Sequence, residues 1–155
     1  MFKAIAFIVL CFVFIIFLQE KYGLGNGYKY IRDRTDDMHI SKNDKVVVGS
    51  TIIDLDLDAD YIVGLQLPSS YLECENGSAL KIVLKNQKKY FILSIETGDV
   101  IFYSIKKAFN DKLESLNIKR NISLDYSRFE AVWRDYSDSY KNTDFSTCRS
   151  IKRDE

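Results

Sequence analysis

The chain has 155 residues, 46% of them hydrophobic and 28% charged, with 22 basic and 22 acidic side chains. That composition excludes a disordered polymer, and the absence of net charge excludes a general nucleic-acid binder. The three cysteines and one histidine form no CxxC or Cys/His cluster, which excludes a zinc site of the usual spacing.

The first predicted element is "AIAFIVLCFVFIIFL", residues 4–18, which contains no charge and no amide. At ~1.5 Å per residue it covers about 22 Å, short of a ~30 Å hydrocarbon core. Phe2 and a snorkelling Lys3 extend it. Three readings stay open: a cleaved signal peptide, a retained signal-anchor and a buried core helix. The retained anchor over residues 1–20 is the expectation, because "QEKYGLGNGY" lacks a small-x-small cleavage pattern. A helix apolar on every face is also out of place at the end of a small domain. Two rules disagree on orientation. Lys21, Lys29, Arg32 and Arg34 follow the segment and argue for the cytoplasm, whereas a short lead with one lysine is the form of an export signal. Export is the reading adopted.

Residues 21–27 hold Gly23, Gly25 and Gly27 and read as a hinge before a globular domain over 28–140. "YKYIRDR" alternates like a strand, and "RTDDMHISKNDK", with His39, reads as a polar turn region. Two strands follow, Val46–Leu57 with a bulge or break at Gly49-Ser50, and Tyr61–Leu67. On the first, Ile53, Leu55 and Leu57 point one way and Asp54, Asp56 and Asp58 the other. Counted from Asp54, a calcium loop needs glycine and glutamate where Ala59 and Leu65 stand, so no metal is expected. After Pro68, "SSYLECENGS" reads as a loop. Leu80–Leu84, Lys89–Ile95 and Val100–Tyr103 then read as a meander. Ser104 is the expected N-cap of "IKKAFNDKLESL", whose Ile105, Phe109, Leu113 and Leu116 share a face. A second helix over Tyr126–Tyr140 carries Phe129, Val132, Trp133, Tyr136 and Tyr140 on one stripe, which reads as core rather than ligand platform. Residues 141–155 form a polar tail.

The predicted fold class is therefore α+β: an N-terminal transmembrane helix, then a small antiparallel β-sheet of about five or six strands in a meander, packed with two C-terminal amphipathic helices. Cys74 and Cys148 either pair in an oxidising compartment, tying the 71–78 loop to the tail, or stay unrelated thiols. Acidic residues crowd between Val46 and Leu80: Asp54, Asp56, Asp58, Asp60, Glu73 and Glu75, with no Lys or Arg among them. This is either an edge protected by charge or a surface that steers a basic partner. Pairs such as Asp54/Asp56 or Asp58/Asp60 supply carboxylates for a hydrolase, but nothing in the sequence raises a pKa. No catalytic residue and no cofactor is expected.

The pattern resembles small bacterial membrane-anchored or exported proteins of the immunity type, collected in uncharacterised domain families. The likeness spans about residues 23–118 and rests on a hydrophobic leader, "LGNGY", the hairpin "TIIDLDLDADYIVGLQLP", the strand and turn "KKYFILSIETGDV", and the helix "SIKKAFNDKLESLNI". It implies a non-catalytic protein tethered in the bacterial inner membrane by a single pass, with its C-terminal domain in the periplasm. There it neutralises a toxin by occlusion. The expected partners are the lipid bilayer, through residues 4–18, and a toxin or membrane-complex protein, met through the six acidic residues. The alternative is a structural or assembly subunit of a membrane complex.

Overall fold

The computed structural model describes residues 22–34, 37–49, 51–58, 60–74 and 80–151. Eleven strands and two helices follow in order: β1 Tyr22–Gly25, β2 Tyr28–Arg34, β3 Asp37–Lys42, β4 Lys45–Val48, β5 Ile52–Asp58, β6 Tyr61–Gln66, β7 Ser69–Cys74, β8 Leu80–Leu84, β9 Lys89–Ser94, β10 Val100–Tyr103, α1 Lys106–Ser115, α2 Tyr126–Tyr140 and β11 Cys148–Ile151. The strands form three antiparallel sheets, ordered β1-β2-β3-β4, β10-β9-β6-β5 and β11-β7-β8. The fold is thus mostly β, not an α+β domain with one meander, and four local differences from the sequence reading account for it.

The glycine-rich stretch is not a hinge. Gly25, Asn26 and Gly27 all take positive φ (87°, 46° and 81°), and this left-handed run folds β1 back on β2. The polar stretch after β2 is itself strand β3, returned to β4 by Asn43 and Asp44 in left-handed backbone, the two-residue hairpin geometry that suits strand twist. The expected long strand is divided after Val48 into β4 and β5, which belong to different sheets. Finally, β8 and β9 do not pair. β8 pairs with β7, a strand expected to be loop, and β9 pairs with β6 and β10.

The central sheet is buried on both faces. Ile62, Phe91 and Leu93 point into a cluster with Tyr28, Met38, Ile40 and Val48 of the first sheet. Val63, Leu65, Tyr90 and Ile92 point the other way, to Phe109, Leu113 and Phe129 of the helices. Alternation along a strand makes this three-layer arrangement possible. Gly64 sits on the first of these faces because a Cβ there would lie 2.3 Å from Phe91 ring carbons.

α1 begins at Ile105 without a side-chain cap, so Ser104 does not serve as the N-cap. It ends in paired hydrogen bonds, Asn117 N–H to Glu114 O (2.9 Å) and Ile118 N–H to Leu113 O (3.1 Å), with Asn117 at φ +58°. This satisfies the last carbonyls and sets buried Ile118 beside Leu113.

The expected membrane-spanning helix lies in residues 1–20, outside the described residues. Among the described residues no helix is long and apolar enough to cross a membrane. α1 and α2 have 10 and 15 residues and carry charged side chains on their outer faces. At ~1.5 Å per residue the longer one reaches about 22 Å, less than the hydrocarbon thickness. Nothing among the described residues therefore supports the single-pass membrane architecture.

Candidate protein-binding surfaces

The alternation in "DLDLD" does place three carboxylates on one face of β5, and the linker between the helices lies across them. Asp58 Oδ2 accepts from Asn121 Nδ2 (2.6 Å), Asp56 Oδ2 from the Ser123 N–H (2.7 Å), and Asp54 Oδ2 from the Asp125 N–H (2.7 Å). Alternate residues of two extended segments share a repeat of about 6–7 Å, so rungs form at every second position. Between the rungs, Ile122 and Leu124 pack on the helix-side core. Arg128 adds an ion pair, its Nη1 lying 3.6 Å from Asp54 Oδ1. The linker also sets up α2: Asp125 Oδ1 accepts from the Ser127 N–H (2.9 Å) and hydroxyl (2.6 Å), capping the helix. The Ser127 hydroxyl and then its amide hold the Asp125 carboxyl below the usual range.

Three of the six acidic residues expected to meet a partner therefore hold the chain's own linker. Asp60 is exposed in the β5–β6 turn, where its carbonyl accepts the Ile95 N–H (2.9 Å). Glu73 pairs with Arg149, whose Nε donates to Oε2 at 2.9 Å. Glu75 lies outside the described residues. Among the described residues no group of three or more His, Cys, Asp and Glu side chains is placed to hold a metal.

Cys74 and Cys148 are joined by a disulfide, directly opposite each other where β7 and β11 pair. What reads as a polar tail therefore includes a strand. On the helix side of the central sheet, Tyr90 stacks on Phe109 (ring centroids 4.8 Å apart). Burial there, followed by the neighbouring Tyr126, pushes the Tyr90 phenol upward.

Two surfaces escape the sequence reading. One is an aromatic row. Trp133 and Tyr136 lie 5.7 Å apart, Tyr136 and Tyr140 4.7 Å, and Tyr140 and Phe145 6.2 Å, measured between ring centroids. Trp133 and Tyr136 pack against the helix-side core. All four residues are only half-buried, so the stripe is core at one end and surface at the other. Its far end is pinned where the Phe145 carbonyl accepts the Cys148 N–H (3.0 Å). The signal was the stripe itself, continued past the helix by Phe145. The other surface is strand β10 with Ile105, whose signal was the uncharged run in "DVIFYSIKK".

Fold and surfaces define a mostly β domain of three antiparallel sheets with helices closing one face and aromatic and apolar residues left at its margins. The chain belongs to the family described as "Protein of unknown function (DUF3997)", which it matches over residues 25–130. That range takes in β2 to β10, α1 and both sides of the aspartate rungs. No curated protein and no solved structure matches the chain.

Proposed function

We propose that this is a non-catalytic protein-binding domain of the immunity kind, which neutralises a toxin by covering it. The surface that takes the toxin is the aromatic row on α2. The observation that carries this reading is the run of four half-buried rings from Trp133 to Phe145. Trp and Tyr are the residues most enriched where binding energy concentrates, and they present large area with few torsions to freeze. The core fixes one end of the row and the disulfide-bound β11 follows the other, so little ordering remains to be done on binding. The disulfide also supports an oxidising compartment outside the cytoplasm as the place of action.

The test is protection of cells that express a toxin encoded beside this gene, with and without Tyr140→Ala. Tyr140 stands outside the helix-side core cluster, so its loss leaves the fold in place. The variant is expected to weaken toxin binding by roughly thirtyfold or more, the scale of an interface hot spot, and to lose protection. Full protection by the variant, or substrate turnover by the purified chain, refutes the reading.

A further inference from the structure

The two outer strands of the central sheet differ in character. β5 carries Asp54, Asp56 and Asp58, and charges on an outer strand guard it against pairing with another sheet. β10, Val-Ile-Phe-Tyr, carries none. It hydrogen-bonds β9 on one side, and among the described residues no strand pairs with the other. Ile101 is 46% exposed, Phe102 41% and the adjoining Ile105 67%. These belong to both faces of the strand: Phe102 leans toward Phe91 on the first-sheet side (6.4 Å), while its neighbour Tyr103 meets Phe109 on the helix side (6.0 Å). An uncharged outer strand, apolar on both faces, is a template for another strand.

We propose that β10 pairs antiparallel with β10 of a second copy of this chain, joining two four-stranded sheets into one continuous sheet across a twofold axis. The charges around the strand select that occupant. Glu96 and Asp99 precede β10, Lys106 follows it, and all three are exposed. In an antiparallel pair the acidic end of each strand meets the basic end of the other, and symmetry makes the contact twice. A parallel arrangement sets like charge against like. A strand that fits this edge needs an acid, an apolar run and then a base, in that order, and "DVIFYSIK" has it. The inference goes beyond the toxin-binding reading and uses a different surface. α2 packs near β5, at the opposite edge from β10, so the dimer presents two aromatic rows facing away from its axis and gains avidity for a partner held at two points.

Sedimentation velocity on the purified full chain tests the proposal. Wild type is expected to sediment at twice the 18.0 kDa chain mass. Phe102→Lys brings two lysines together across the axis, and like charges there should weaken the dimer by more than about a hundredfold. Asp99→Lys should weaken it by about tenfold, and Asp99→Lys with Lys106→Asp should restore it, because the exchange regenerates the opposite-charge contact. That pair of substitutions falls on exposed side chains, at the cost of the Lys106 contact with the Tyr126 ring (4.0 Å), and so reads the interface even if Phe102→Lys unfolds the chain. A monomer at every concentration, a dimer indifferent to Phe102→Lys in a folded variant, or a double exchange that fails to restore association overturns the proposal. Because the Tyr140 assay reads α2 alone, either result can fail without the other.

Discussion

Replacing Asp56 by alanine removes the middle rung between β5 and the helix linker. The carboxylate accepts the Ser123 N–H at 2.7 Å, a charge-assisted bond worth about 1.5–3 kcal/mol when well shielded. Asp56 is only half-buried, and water competes for the freed N–H, so the expected loss is about 1 kcal/mol, or roughly 3 °C in Tm for a chain of this size. Asp54→Ala should cost more, about 2 kcal/mol, because its side chain is 19% exposed and also faces Arg128. Removing all three carboxylates should cost less than the sum, since each rung holds the same segment and the sites are coupled. The direct readout is amide hydrogen exchange. Ser123 should lose protection by about fivefold in Asp56→Ala, and Asp125 should follow in Asp54→Ala, with β2 and β3 amides unchanged. If Ser123 exchanges at the wild-type rate in Asp56→Ala, the carboxylate does not hold the linker and the structural reading of the aspartates fails.

Reduction of the disulfide, or Cys148→Ser, should release β11 and destabilise the fold by about 4 kcal/mol on chain-entropy grounds, given the sequence separation of 74; urea midpoints with and without reductant check it. Gly64→Ala should cost about 1–3 kcal/mol through overpacking against Phe91, and Gly64→Ala with Phe91→Leu should recover part of that in thermal melts. The Asp125 cap contributes stability that is fully present above the ordinary carboxylate pKa of 3.8 and is lost as pH falls through the lowered folded value. Asp125→Ala should therefore melt lower at neutral pH and show a flatter acid limb than wild type.

Local periodicity carried part of the architecture. The spacing of Phe109 and Leu113, and of Phe129 and Val132, marks both helices, and the period-two alternation of "DLDLD" sets the carboxylates on one face. What they face was not legible, because their main partners are backbone N–H groups, which leave no mark in residue identity. A faint trace exists in "NISLD", where Asn121, Ser123 and Asp125 alternate with Ile122 and Leu124 in step with β5. The pairing of β8 with β7 was hidden for a different reason. Ser69, Ser70 and Glu73 give β7 the polarity of a loop, and its position is fixed by β8 and β11 from distant parts of the chain. Hairpin rules favour the neighbour in sequence, so they join β8 to β9. The acidic run suggested a docking edge by charge alone, whereas Ile101, Phe102 and Ile105 lie exposed on or just after β10 and the aromatic row runs to the end of α2.

The clasp between residues 74 and 148 also orders events in time. A growing polypeptide presents β7 and β8 roughly seventy residues before the strand that completes their sheet, and such distant closures form late. That sheet thus stays unfinished until residues 148–151 have been synthesised. The covalent clasp that secures it then awaits an oxidant, so its closure depends on redox conditions as well as on chain length.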